Sequence, residues 1–571
     1  MCPITDILND VAGKSAQNEL YTPVPPGYKL GQCKYVVVLG TVMSGLGKGI
    51  FSSSVAKLVQ DKGLKVSPIK LEGYLNIDSG TLNPYRHGEV FVLDDGMETD
   101  MDLGTYERIL DQNLSRLNFT TSGQIFTSVL DKERGGRYQG RDVQMIPHVT
   151  GEVKLRLREL ALESQADIVF VEIGGTVGDV ENSFFIEAVR ELALEEGPNS
   201  TCFVALTYIL EPQALGEQKS KAAQLGLRSL MGLGVQPHIL ACRAKNPVSE
   251  TVRQKVSVYA NVPLERVFSM HDSESIYYIP EMIRRCKIDQ EVIQVLGLKD
   301  RVDAEKDRQA WDRWCMFTQR IHHPTQQVNI AITGKYITVR DSYASIIKAL
   351  EHCGAHLQSK FVLNWIDTTD ITDQNVSEKL AGMHGVIVPG GFGIRGTDGK
   401  IACVRYAREN RLPYLGLCYG FQMAVVEFAR NVCNLSGANS TEIDPNCKHS
   451  VIDRLPNQRG LKGLGGTMRL GGQDVELIPN TLAAKLYGLA SSVRLRFRHR
   501  YEVHPRYIPE LAKKGLVFSG RAPGEPIMQI LELPEHPFFM GTQAHPEFTS
   551  RPLRPEPLFC AFAQAALDHT G

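Results

Sequence analysis

The sequence predicts an α/β protein of at least two domains. Three observations carry this. Its 571 residues are about four times the length of a typical single domain. Short apolar runs alternate with helix-spaced segments, the pattern of parallel strands joined by crossover helices. That alternation breaks off once, between about Leu298 and Gln327, and then starts afresh. Hydrophobic residues at 43% and charged residues at 22% leave ample material for buried cores.

The elements follow in order. Tyr35–Leu39 is a short apolar run flanked by Gly and reads as a buried parallel strand. Lys65–Leu71 reads as the next strand, Gly151–Glu163 as a helix, and Ala166–Ile173 and Cys202–Ile209 as strands. Lys219–Met231 is helical and His238–Cys242 extended. Asp300–Arg320 is dense in charge, ends at His322-His-Pro-Thr-Gln-Gln327, and reads as a linker helix and hinge. Strands resume at Val328–Ile332, Lys360–Ile366, Gly385–Pro389 and Pro413–Leu417. There is no internal repeat and no low-complexity tract. The expected boundaries are an extension at 1–33, domains at 34–299 and 327–571, and a linker at 300–326.

Several functional classes are excluded early. A formal net charge of −1 gives no electrostatic footprint for nucleic acid or an anionic membrane. The apolar stretch between Lys34 and Lys48 is too short to span a bilayer. Residues 1–33 carry Asp6, Asp10 and Glu19 and have no basic start before an apolar core, so no secretory signal is expected. Twelve cysteines without any C-x-x-C pair are neither a disulfide framework nor a zinc spacing. A reducing, cytoplasmic compartment is expected.

The loop Gly40-Thr-Val-Met-Ser-Gly-Leu-Gly-Lys-Gly49 lies between the first strand and a helix. Backbone N–H groups in such a turn cradle an anion, and Lys48 adds a point charge. Against the pattern G-x-x-x-x-G-K-[ST], Val42 stands at the first Gly and Gly49 at the closing hydroxyl residue. No hydroxyl follows the lysine to hold Mg²⁺, so carboxylates elsewhere must do so. Candidates are the acidic run Asp94–Asp102 and Glu172, which a strand delivers into Gly174-Gly175. Lys70, Arg134, Arg137, Lys219 and Lys221 form a scattered basic set for a second polyanion. The alternatives are a ligand-free turn and solvated acidic loops.

The second half carries Gly416-Leu-Cys-Tyr-Gly420 between a strand and the helical segment Phe421–Arg430. This is a nucleophile elbow with Cys in place of Ser. The glycines permit a sharp turn, and the helix N-terminus favours a thiolate. His545 and Glu547, in Gln543-Ala-His-Pro-Glu547, complete a Cys-His-Glu triad on an extended segment. Pro389-Gly-Gly-Phe-Gly393 is the expected donor loop for an oxyanion.

These motifs resemble the CTP synthase family, glutamine-dependent amidotransferases that make CTP from UTP. The resemblance covers about residues 34–570. It rests also on His87-Gly-Glu-Val-Phe91, Asp102-Leu-Gly104, Val171–Asp179, Gly465–Gly471 and Arg498-His-Arg-Tyr501. It implies two doubly wound domains, an N-terminal P-loop amidoligase like dethiobiotin synthetase and a C-terminal class I glutaminase. It places ATP on Ser44, Gly45, Leu46, Gly47, Lys48, Gly49, Ile50, Lys70 and Arg243, and Mg²⁺ on Asp102 and Glu172. It places UTP and CTP on Ser44, Lys219, Lys221, Gln224 and Lys255, with Gln144 and His148 nearby. Asp179 and Glu181 match the feedback site for CTP. Cys418, His545 and Glu547 match the triad, and Gly391, Gln422, Glu442 and Arg500 match residues that hold glutamine. The loop around Arg395 and the segment Gly465–Gly471 match parts tied to GTP activation. His87 matches the narrowing of an ammonia passage. The family assembles as homotetramers, and some members form filaments.

Three positions depart from the family pattern. Glu72 and Gly73 stand where Asp-Pro is usual, Ala544 replaces an aromatic before His545, and Tyr419 replaces a common Leu. Two rivals remain in view. One is a P-loop amidotransferase acting on a carboxylate, against which stands the set Lys219, Lys221 and Gln224. The other is a non-catalytic nucleotide switch, against which stand the intact nucleophile, base and carboxylates.

Overall fold

The computed structural model describes residues 21–138, 140–212, 214, 216–334, 340–454, 466 and 468–570. Gly465 and Thr467 of the GTP-linked segment lie outside them, as does the extension up to residue 20. The chain forms two compact units. The first comprises residues up to Ile77, Thr105–Leu110 and Leu114–Asp312. The second comprises Asp78–Gly104, Asp111–Asn113 and everything from Arg313 onward. Residues 78–104 therefore pack with the C-terminal half of the chain, although sequence reading groups them with the first domain.

The first unit is built on a seven-stranded sheet, every pair of which is parallel. Its order is Phe119–Thr121, Val66–Glu72, Ile168–Ile173, Lys34–Gly40, Thr201–Tyr208, Ile239–Ala244 and Val267–His271. Helices cover both faces, so central strands are buried on both sides and read as unbroken apolar runs; Val36, Val37 and Val38 are fully buried. The helix Lys48–Asp61 begins directly after the glycine-rich loop, and Thr150–Ser164 realises the expected 151–163 helix. Register fixes the chemistry at the strand ends. Glu172 pairs with Val38 on one side and with Lys70 on the other.

The second unit holds a mixed nine-stranded sheet. Five strands are mutually parallel: Ser359–Asp367, Gln326–Gly334, Gly385–Val388, Tyr414–Leu417 and Phe539–Thr542. Four more extend it antiparallel: Met528–Glu532, Val517–Arg521, Arg469–Leu477 and Ser492–His499. This extension has no counterpart in the sequence expectation, whose strands end at Pro413–Leu417, although Val493, Leu495 and Phe497 alternate with Arg494, Arg496 and Arg498 as a one-faced strand does. The linker helix runs from Ala304 to His322 and buries Trp314, Phe317 and Thr318. Among the described residues no helix is long and apolar enough to cross a membrane, and every described cysteine is free.

Candidate active site

Cys418 sits at the junction of the strand Tyr414–Leu417 and the helix Tyr419–Asn431, with φ +50° and ψ −97°. Positive φ at a side-chain-bearing residue is strained and is kept only where packing enforces it. Here the packing is explicit. A Cβ on Gly420 would lie 2.0 Å from the Val388 carbonyl oxygen, and one on Gly416 2.8 Å from the Gly420 backbone. The elbow therefore needs both glycines, and it buries Cys418 to 6% exposure.

The structure brings Cys418, His545 and Glu547 to one pocket. His545 Nδ1 lies 2.8 Å from Glu547 Oε1, and its imidazole lines the same pocket as Cys418. Phe548 stacks on the ring at 5.0 Å and 11°. Burial alone would push the imidazole pKa down. The Glu547 carboxylate and Cys418 outweigh it and raise the pKa to about 10. The site thus favours a protonated imidazole, which is what a departing amine needs.

The pocket above Cys418 is lined by Gly390, Gly391, Phe392, Arg498, His545 and Glu547, together with Pro84, Glu89 and Val90 of the same unit. Glu89 accepts hydrogen bonds from the Ser345 backbone N–H and hydroxyl. Arg498 bonds Glu98 at 2.7 Å, and Arg494 grips Asp94 with two nitrogens. Gln422 is buried on the elbow helix. Its Nε2 donates to the Tyr501 carbonyl at 3.0 Å, and its Oε1 is left without a partner. A buried acceptor of this kind suits a ligand's ammonium. Glu442 Oε1 accepts from the Gly393 N–H at 2.9 Å, beside the donor loop. Arg500 follows the strand Ser492–His499 and is half-buried.

Two residues within quoted motifs gain roles that sequence reading missed. Gln543 Nε2 donates to Cys418 Sγ at 3.5 Å, while its Oε1 accepts from Gln422 at 3.2 Å. The Arg498 carbonyl accepts from the Cys418 thiol at 3.7 Å. No spacing rule reveals either contact; only the meeting of three distant segments does.

In the first unit, Lys48 is buried and donates to the Gly175 carbonyl at 2.8 Å. Ser44 and Gly45 are exposed, and Gly47 caps the helix at φ +79°. Lys70 bonds Glu172 at 2.9 Å and faces Glu72 at 3.3 Å. Tyr106 donates to the other Glu172 oxygen at 3.0 Å. Oxygen donors of this kind suit a hard cation that keeps phosphate and water ligands. Among the described residues no group of three or more His, Cys, Asp or Glu could hold a metal alone. Asp102 belongs to the second unit with residues 78–104; it lies in the first turn of the helix Met101–Leu110, and its N–H donates to Asp100.

The remaining candidates are more open. Arg243 pairs with Asp272 at 2.5 Å. Lys219 contacts Glu217, Lys221 and Lys255 are exposed, and Gln224 donates to Ser220 at 3.1 Å. Asp179 accepts from the Thr176 N–H at 2.7 Å, and Glu181 packs beside Gly73. His148 is buried, and its Nδ1 accepts from the Gln144 N–H at 3.1 Å. His87 and Arg395 are exposed.

Comparison with known proteins agrees along the chain. A profile described as CTP synthase N-terminus matches residues 34–298, and one described as glutamine amidotransferase class-I matches 338–565. A CTP synthase of Thermococcus kodakarensis is 48% identical over 534 residues, covering 93% of this chain and 98% of its own. The chain belongs to the CTP synthase family. A second CTP synthase, from Archaeoglobus fulgidus, is 47% identical over 94% of this chain and 99% of its own. A solved glutaminase domain of Trypanosoma brucei CTPS with bound acivicin is 37% identical, with a TM-score of 0.40. It covers 42% of this chain and 94% of that one.

Against the CTP synthase pattern, the departures have visible places. Glu72 reaches over Gly174, where a Cβ would sit 2.5 Å from its carboxylate. Gly73 leaves room for Glu181, whose Cβ would be 3.2 Å from an added one. Ala544 is fully buried. The Tyr419 hydroxyl donates to the Gly393 carbonyl at 2.9 Å and meets Thr397 at 2.9 Å, while Lys400 lies over its ring. The extra hydroxyl ties the elbow to the donor loop.

Proposed function

We propose that Cys418, His545 and Glu547 release ammonia from glutamine, and that the glycine-rich loop, Lys48 and Lys70 hold the ATP phosphates. The enzyme is a glutamine-hydrolysing ligase that aminates UTP to CTP at the expense of ATP. The arrangement at Cys418 carries the reading: nucleophile, base and carboxylate meet on a strained elbow. Cys418 attacks the glutamine amide carbon, and His545 gives its proton to the departing nitrogen. Water then hydrolyses the glutamyl thioester. Gln422, Glu442, Gly391 and Arg500 hold the amino acid. In the other site the ATP γ-phosphoryl passes to the O4 oxygen of UTP, so that phosphate leaves when ammonia attacks C4. Mg²⁺, when bound, supplies charge neutralisation on the phosphates; Glu172 would hold it.

Arg243 sits beside the adenine in this reading. Lys219, Lys221, Gln224 and Lys255 hold the pyrimidine triphosphate, with Gln144 and His148 near its base. Asp179 and Glu181 read the base of CTP as a feedback inhibitor. GTP activates through the loop at Arg395 and the segment from Gly465. A cytoplasmic homotetramer is the expected form. Purified protein with UTP, ATP, glutamine and Mg²⁺ should produce CTP, followed by absorbance. No CTP from either glutamine or ammonium would overturn the reading and revive a carboxylate-directed or switch protein.

A further inference from the structure

The described part of the segment before residue 34 is packed onto the first unit rather than trailing from it. Tyr28 donates to Glu196 at 3.0 Å, and the Gly31 N–H donates to the same carboxylate at 2.8 Å. Arg158, fully buried, bonds Glu196 at 2.8 Å and the Pro23 carbonyl at 3.0 Å. These anchors lead the chain to Tyr21, whose ring stacks on His148 at 5.5 Å and 27°. Tyr138 closes a second side of the imidazole at 4.9 Å, edge on. Gly151 makes the approach possible, because a Cβ there would lie 2.5 Å from the Tyr21 ring.

His148 is 4% exposed, and its Nδ1 accepts from the Gln144 N–H. That bond places the remaining proton on Nε2, which is buried without a partner. Burial, with Arg141 next, holds its pKa below the usual value. A fixed, neutral imidazole with an unanswered N–H is built to meet an acceptor oxygen. The segment that fixes it lies outside residues 34–298, which match the family profile.

We propose that Tyr21–Gln32 is a clamp that positions His148 to donate through Nε2 to an oxygen of the pyrimidine nucleotide. This rests on the assignment of His148 to that site. Tyr21 is a positioning residue in this scheme, since it touches the imidazole. The full chain carrying Tyr21→Ala should show a UTP KM raised roughly threefold to tenfold, the worth of one aromatic pair. The KM for ATP and the rate of glutamine hydrolysis should stay unchanged, and Tyr21→Phe should restore the parent value. On a His148→Ala background Tyr21→Ala should add nothing. The His148 imidazole, followed by NMR, should titrate closer to its ordinary value in Tyr21→Ala, as water reaches it.

An additive effect on the His148→Ala background, or equal rises in both nucleotide KM values, would show a merely structural role and overturn the clamp. So would an unmoved His148 titration. If Tyr21→Ala unfolds the protein, Tyr21→Leu takes its place in the same cycle, with the same outcomes. If His148→Ala leaves UTP use unchanged while Tyr21→Ala still moves the imidazole titration, positioning stands and the assignment of His148 to the nucleotide fails.

Discussion

Two glycine-rich turns, each joining a parallel strand to a helix, do opposite things in this chain. At Cys418 the turn is closed. Its glycines are there because neighbouring atoms leave no space, and the proposed nucleophile and its base line one pocket. At Gly40–Gly49 the tip of the turn, residues 42–45, is open. Gly45 has nothing within 4 Å of where a Cβ would stand, and Ser44 is exposed. Both turns bear a positive φ on a residue with a side chain, Cys418 at +50° and Val42 at +76°. Only the first is enclosed by packing. A nucleophile must be aimed before substrate arrives, so its geometry is fixed by protein atoms. A phosphate cradle completes its hydrogen bonds only with the anion present.

This contrast predicts which substitutions are catastrophic. The largest effect is at the nucleophile. Cys418→Ala should abolish CTP synthesis from glutamine, by about a thousandfold or more, and leave synthesis from ammonium salts intact. Parallel rates with glutamine and ammonium chloride measure it. Loss of both activities in a folded variant would mean the two turns are not separable in function. Lys48→Ala is the complement. It should cost both nitrogen sources alike, by about a hundredfold or more, since the ammonium replaces only the product of the other site.

The glycines test the comparison sterically. Gly420→Ala would put a Cβ 2.0 Å from the Val388 oxygen, and should destabilise by about 3 kcal/mol or more, as severe overpacking does. Gly45→Ala meets no atom, but its φ of +72° should cost about 1 kcal/mol. Thermal unfolding of both variants would rank them. A Gly45 variant as damaged as the Gly420 one would mean the first loop is as tightly enclosed as the elbow.

Glu547→Gln acts on the electrostatics alone. The folded-state pKa of His545, about 10, lies above its ordinary value of about 6.5. The pair's contribution to stability is therefore complete below about 6.5 and is lost as pH rises through about 10. Glu547→Gln should bring the imidazole titration down and shrink that alkaline loss. An NMR titration unchanged by the substitution would show that Glu547 is not what holds the proton.

The two turns also differ in how well the sequence announces them. Both stand out as glycines between an apolar strand and a helix, and the triad partners His545 and Glu547 share one short motif. What the sequence hides is whatever depends on segments meeting. Residues 78–104 carry their motifs in the first half of the chain yet pack in the second unit, through Asp94, Glu98 and the arginines at 494 and 498. The antiparallel strand holding those arginines does alternate, Val493, Leu495 and Phe497 against Arg494, Arg496 and Arg498, but nothing in that alternation says which sheet it extends. Tyr419 looks like a chance departure from Leu until its hydroxyl is seen on the Gly393 carbonyl.

Gln543 is the smallest and most specific test of the closed turn. Its amide donates to Cys418 Sγ at 3.5 Å and accepts from Gln422, so it joins the nucleophile to a residue proposed to hold glutamine. The two contacts predict different kinetics. A donor to sulfur matters most when the thiolate forms and attacks, so its loss lowers kcat of glutamine hydrolysis. The bond from Gln422 orients a binding group, so its loss raises KM. The sulfur contact is long and the thiol also reaches the Arg498 carbonyl, which limits the first effect to about tenfold, the worth of one hydrogen bond near charge. Gln543→Leu should therefore reduce kcat of hydrolysis by about tenfold and leave ammonia-dependent synthesis untouched. A rise in KM at unchanged kcat would instead place the role of Gln543 in holding Gln422. An effect on ammonia-dependent synthesis would show that the closed turn reaches beyond its own chemistry.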